Sequence, residues 1–226
     1  MSTFEPCWGV LPKAQRIFWP QLAPSVEMGL VLYGGTAVAL RLGHRTSIDF
    51  DLFTEKPLDK QQLQRGFAFL AESKVMQDRP DTLSVLAPFE TGNVKVSFFG
   101  GIAIGRVGVP DCTPDGVLQV ASLIDLLATK LKVIQRRIEA KDYIDVVALL
   151  RAGIVLEEGL AAASALFHPL FQPSEAIKAM TYFEGGDLRT LPPTDREFLT
   201  RAAARIRHIP VAGLASPSLS TPTQET

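Results

Sequence analysis

The chain has 226 residues and 46% hydrophobic content, enough for one domain with a helical extension or for two small lobes. A formal net charge of −1 excludes a global basic field, so any nucleic-acid partner must be held by a local patch. Two cysteines without metal-ligand spacing, no basic leader, and no apolar run approaching ~18 residues point to a soluble cytoplasmic protein with no membrane contact.

Residues 1–24 carry Trp8, Phe18 and Trp19 between prolines, a composition that predicts a helix or arm packed over the core. Leu30–Tyr33 reads as a short apolar strand that breaks at Gly34-Gly35 and passes into a helix from about Thr36 to Leu42, ended by Gly43. A diglycine lets the backbone approach a ligand closely, and the helix that follows points unpaired amides and its positive dipole end at the same place. Ile48–Phe53 alternates as a half-buried strand, with Ile48, Phe50 and Leu52 on one face and Asp49 and Asp51 on the other. Thirteen residues, Thr36 to Ile48, lie between Gly35 and Asp49, enough for one short helix and a return into a neighbouring strand. Two carboxylates on one face can share a divalent metal, and Mg²⁺ takes such oxygen ligands beside substrate phosphates. A phosphate cradle next to a carboxylate pair points to phosphoryl or nucleotidyl transfer.

In the intervening loop His44-Arg45-Thr46-Ser47, Arg45 either clamps a phosphate or joins a surface ion pair, and Ser47 orders the loop. Pro57-Leu58-Asp59 starts a helix to about Ser73. Thr82–Phe89 and Val94–Phe99 read as a β-hairpin, followed by a loop around Pro110–Gly116. If the Val94–Phe99 strand borders the Asp49 strand, Lys95 and Ser97 face the site. A two-metal enzyme would carry a third carboxylate there, and this sequence has none.

From Ser122 the pattern turns helical. Ser122 and Asp125 form a capping-box sequence for a helix to about Ile138, and further helices are expected near 142–152, 157–166, 173–183 and 194–207. Lys130 falls within the apolar stripe Leu123, Leu127, Leu131 and Ile134, so it either snorkels or is balanced by a triphosphate or a carboxylate. Asp145 borders the buried face of the next helix, where a structural ion pair with Lys130 or Arg137 and a catalytic role are equally compatible with its position. Basic residues between Lys130 and Lys141, and again from Arg201 to His208, are the candidate nucleic-acid patches, although each also reads as a solvated helix face. The domain division expected is a core of 1–116, a helical region of 117–210 that completes the site, and a Ser, Thr and Pro-rich tail, 211–226, predicted to be disordered.

The twenty residues from Gly34 to Phe53 closely resemble the opening motif of the AbiEii/AbiGii toxin family of nucleotidyltransferase-fold proteins. The run Asp125–Leu131, Arg137 and Lys141-Asp142-Tyr143-Ile144-Asp145 is similar to the later motifs of that family. The resemblance implies an α/β (α+β) fold, with a mixed-sheet nucleotidyltransferase core and a helical C-terminal half. It implies that Gly34, Gly35 and Thr36 hold the triphosphate of an NTP, that Asp49 and Asp51 hold Mg²⁺ (or Mn²⁺), that Lys130 contacts nucleotide phosphates, and that Asp145 completes the site. Lys95 falls where a basic motif occurs in the toxin branch. The implied acceptor is RNA, at the tRNA acceptor end, and the implied partner is a cognate antitoxin of an abortive-infection or toxin–antitoxin system. The missing third acid keeps a non-catalytic nucleotide- or partner-binding relative as the alternative, with transfer to a small molecule behind it.

Overall fold

The computed structural model describes residues 2–89 and 91–222. The chain divides into two compact units: residues 1–105, 109–122 and 216–226 form the first, and 106–108 with 123–215 form the second.

The first unit is built on a seven-stranded mixed sheet, so the fold is α/β with both parallel and antiparallel pairings. Its strands are β1 (Val31–Tyr33), β2 (Asp49–Phe53), β3 (Lys74–Arg79), β4 (Thr82–Ala87), β5 (Val94–Phe99), β6 (Asp111–Cys112) and β7 (Gln119–Val120). They lie side by side in the order β3-β4-β5-β2-β1-β7-β6. The helices of this unit are α1 (Lys13–Phe18), α2 (Pro24–Glu27), α3 (Gly34–Leu42) and α4 (Lys60–Gly66). Alternation along β2 buries Phe50 and Leu52 completely and leaves Asp49, Asp51 and Phe53 half-buried on the opposite face. Phe50 lies in an aromatic cluster with Phe18 and Trp19 of the N-terminal segment, at centroid distances of 6.5 and 6.0 Å. The residues before β1 therefore fill the core on that face of the sheet. Arg41 of α3 donates to the Ala121 and Val120 carbonyls at 2.8 and 2.9 Å, pairs with Asp111 at 2.8 Å, and stacks over Phe4.

Several features differ from the sequence reading. β2 starts at Asp49, and Ile48 is 54% exposed, because its carbonyl turns to the Gln15 side chain (3.1 Å) outside the strand ladder. β3 was not anticipated: all six of its residues are exposed, so it shows no buried period to read. The boundary of the first unit falls after Ser122 rather than Gly116, because β7 is paired in parallel with β1 (Val31 with Gln119, Leu32 with Val120). Residues 211–222 of the tail expected to be disordered are described, and residues 216–222 of that stretch pack on the first unit. There Leu219 is fully buried, its amide donates to Glu55 at 3.1 Å, and Thr221 and the Gln119 side chain exchange hydrogen bonds of 2.9 Å. Residues 223–226 of that expectation lie outside the described residues.

The second unit is helical: α5 (Leu123–Val133), α6 (Ala140–Arg151), α7 (Leu156–Phe167), α8 (Pro173–Thr181) and α9 (Pro193–Arg205). α5 ends five residues short of the expected Ile138. α5 and α7 pack so closely at Gly159 that a Cβ there would lie 2.4 Å from Leu127 Cδ2. The Asp125 carboxylate, expected to serve a capping box, accepts hydrogen bonds from the Val107 and Gly108 amides at 2.8 and 3.1 Å and is buried. Among the described residues, no helix is long and apolar enough to cross a membrane.

Candidate functional site

The first cluster forms where β1 hands over to α3. Tyr33 is extended, Gly34 turns at φ +75°, and α3 runs from there to Gly43, which caps it in the left-handed region at φ +67°. A side chain at Gly34 is excluded twice over. Positive φ strains any L-residue, and a Cβ would stand 2.8 Å from Asp51 Oδ2. That contact follows from the antiparallel register, which sets Asp51 opposite Tyr33, one residue before the turn. One carboxylate is therefore held directly against the diglycine bend, beside the first amides of a nine-residue helix.

Asp49 lies two residues earlier on the same face of β2. Thr36, in the first turn of α3, donates its hydroxyl to the Asp49 carbonyl, and its Oγ1 lies 2.7 Å from Ser47 Oγ. Thr36 and Ser47 are both buried, so these hydroxyls tie the returning loop to the helix start. The Thr36 side chain is thus engaged within the protein. β5 pairs in parallel with β2, with Lys95 opposite Asp49 and Ser97 opposite Asp51, so the conditional placement of both residues is met. Lys95 Nζ stands 3.4 Å from Asp49 Oδ2, with the two side chains 43% and 39% exposed. A long, half-exposed pair of this kind is worth at most about 1 kcal/mol, which leaves either partner available to a stronger ligand. Arg45 is placed elsewhere: it donates to the Thr46 carbonyl at 3.0 Å and lines a cleft of about 290 Å³ with Cys7, Gly9 and Gly43, at the C-terminal end of α3.

Asp49 and Asp51 provide carboxylate oxygens on alternate positions of one strand face, with Asp49 partly open to solvent. That donor set fits Mg²⁺, which keeps waters and substrate phosphates in its shell and needs only one or two carboxylates from the protein. Among the described residues, no group of three His, Cys, Asp or Glu side chains converges into a fuller cage.

The second cluster lies within the helical unit. Lys130 of α5 is 4% exposed, and its Nζ contacts Asp142 Oδ1 at 2.8 Å and Asp145 Oδ2 at 2.6 Å, both on α6 and both fully buried. Arg137 adds a forked contact to Asp142, at 2.8 and 2.9 Å from Nε and Nη2. Two cations face two carboxylates, so the burial of each charge is offset by its neighbours. Of the alternatives open for Lys130 and Asp145, pairing with each other is realised, and Asp142 joins them. The arginine five residues before Asp142 was the available sequence signal for its part in this pairing. Tyr143, next in α6, donates to the Ala179 carbonyl at 3.0 Å, and burial, aided by the Asp142 charge, pushes its phenol above the usual value.

The architecture makes this a mixed-sheet α/β protein with a glycine-opened helix start and paired acids on the central strand β2. Residues 23–210 match the family described as "Nucleotidyl transferase AbiEii toxin, Type IV TA system", and the chain belongs to that family, which makes it a nucleotidyltransferase of the toxin class. It is 31% identical over 181 residues to an uncharacterized protein of Aquifex aeolicus (strain VF5), aq_aa25, spanning 77% of this chain and 84% of the relative. A solved structure described as MenT4, nucleotidyltransferase toxin Rv2826c from Mycobacterium tuberculosis H37Rv, superposes with a TM-score of 0.40 at 15% identity. That superposition covers 85% of this chain and 92% of MenT4.

Proposed function

We propose that this toxin transfers a nucleotide from an NTP to a hydroxyl of RNA, at the tRNA acceptor end, with Mg²⁺ held by Asp49 and Asp51. The observation that carries the reading is the approach of Asp51 Oδ2 to within 2.8 Å of where a Gly34 side chain would begin. A carboxylate and a helix N-terminus meeting at one point suit a metal–phosphate complex. When bound, Mg²⁺ supplies charge neutralisation between the nucleotide phosphates and the carboxylates.

The residues of the chain do the positioning. Amides of Gly34, Gly35 and Thr36 donate to the phosphate oxygens, aided by the helix dipole. Thr36 and Ser47 hold that amide cradle in fixed register with Asp49. Lys95, released from its long contact with Asp49, offers a positive charge to a phosphate or to the departing pyrophosphate. The acceptor hydroxyl attacks the α-phosphorus in line and gives up its proton to solvent, the bond to the bridging oxygen breaks, and pyrophosphate leaves with the electron pair. No nucleophilic side chain is required, which fits a site made of backbone amides and carboxylates. Lys130 and Asp145, which the family resemblance assigned to completing the site, are bound to each other and to Asp142 inside the helical unit, with Arg137 on Asp142. A cognate antitoxin is the expected protein partner.

The test is incubation with Mg²⁺, total RNA and NTP labelled on either the α- or the γ-phosphate. Label from the α-position, and none from the γ-position, should appear in RNA. Asp49→Ala and Asp51→Ala should each reduce it by at least about 10²-fold. Labelling that persists unchanged in both variants would contradict the assignment.

A further inference from the structure

The edge strand β3 was invisible in the sequence, and its register has a consequence for the acceptor. β3 pairs antiparallel with β4, but the pairing skips a residue: Val75 lies opposite Val85, and Gln77 opposite Ser84, so Met76 is an extra residue in a bulge. Without the bulge, Lys74, Met76 and Asp78 would share one face. With it, Lys74, Gln77 and Arg79 do, and Asp78 turns to the other face, where it pairs with Lys60 of α4.

The face that receives Lys74 and Arg79 can be followed strand by strand. Asp51 is opposite Ser97, Ser97 opposite Ser84, and Ser84 opposite Gln77. In the next row Phe53 is opposite Phe99, Phe99 opposite Thr82, and Thr82 opposite Arg79. The basic residues of β3 therefore share the face of the sheet that carries Asp49, Asp51 and Lys95. They stand about 14 Å from β2, three strand spacings away. Between them Ser97 and Ser84, joined Oγ to Oγ at 3.1 Å, are buried below the half-buried residues of the same face, Lys95, Phe99, Leu86 and Thr82. Phe53, also half-buried, is in edge-to-face contact with Phe99 at 5.0 Å. Among the described residues, Lys74 and Arg79 have no ion-pair partner, and every residue of β3 is exposed.

We infer that this strip is the track of a single-stranded RNA acceptor, running from the carboxylates across β5 and β4 to Lys74 and Arg79. The inference rests on the transfer site proposed above and adds the path by which a polymeric acceptor reaches it. Cations spaced along one sheet face beside aromatic rings suit single-stranded nucleic acid. A small acceptor would touch only the first few ångströms, and nothing in its chemistry would call for cations three strands away. A second copy of the chain adding a strand to β3 is opposed by the bulge, which twists the edge out of pairing.

The experiment uses the full chain, a 5′-labelled single-stranded oligoribonucleotide with a free 3′ end, and the double substitution Lys74→Gln/Arg79→Gln. RNA affinity should fall about tenfold, and the slope of log K against log salt should shrink by about 1.4, two phosphates at ~0.7 each. The KM for NTP should stay unchanged. The companion Lys178→Gln/Arg189→Gln, which removes two exposed charges from the helical unit, should leave RNA affinity and slope as in the parent. If the parent binds and labels RNA while the β3 variant matches it in affinity and slope, the track is wrong and the transfer reading stands. An equal loss in the Lys178/Arg189 variant would also overturn it. A parent chain that neither binds nor labels RNA removes the acceptor reading itself.

Discussion

Gly34 is the residue on which the first cluster turns. Its φ of +75° and the 2.8 Å approach of Asp51 Oδ2 leave no place for a methyl group. Gly34→Ala should cost at least about 1 kcal/mol of stability, read as a lowered denaturant midpoint. It should also cost more in transfer rate than in stability, because the carboxylate is what must move. Lys130 presents the opposite problem, a charge with almost no water. Lys130→Met removes the cation that lies between Asp142 and Asp145, and should destabilise the fold by about 3–5 kcal/mol in chemical denaturation. Tyr143 gives a pH signature. Its folded-state pKa is raised by burial first and by Asp142 second, so the folded state favours the neutral phenol. That contribution is fully present below the unfolded phenol value of about 10 and is lost as pH rises from there through the folded pKa. Thermal melts of the parent should therefore weaken above pH 10 more steeply than those of Tyr143→Phe.

At the scale of elements, the strand–turn–helix–strand unit around Gly34 and Asp49 was legible because each step left its own mark. An apolar run, a diglycine, a terminal glycine and strict alternation all lie within twenty-odd residues. The five C-terminal helices were legible for the same reason, with ends displaced by a few positions. β3 left no mark, because neither of its faces is buried, and two-residue strands such as β6 and β7 are too short to carry a period. Long-range ties were also unreadable. The two loop amides held by Asp125, and the burial of Leu219 beneath a Ser, Thr and Pro-rich segment, depend on contacts across the chain rather than on local pattern. Lys130 was the exception. Its place in an apolar stripe predicted a buried charge with a partner, and the sequence named Asp145 among the candidates. One further element-level prediction comes from the α5–α7 contact. Gly159→Val should force the helices apart against Leu127 and lower stability by about 1–3 kcal/mol, measured by thermal or urea unfolding.

For the whole molecule, membership of the toxin family defines the reaction class, and the residues of this chain define how it would be carried out. The sheet unit carries the carboxylate pair of β2 beside the helix start at Gly34, and the helical unit carries a buried, charge-balanced set around Lys130. The most direct measurement is a Mn²⁺ titration followed by electron paramagnetic resonance, with a non-hydrolysable NTP present. Mn²⁺ here stands in for Mg²⁺ at oxygen ligands. The account predicts nucleotide-dependent loss of the free Mn²⁺ signal in the parent chain, and a return to the protein-free titration in both Asp49→Ala and Asp51→Ala. Undiminished Mn²⁺ uptake in those two variants would contradict it.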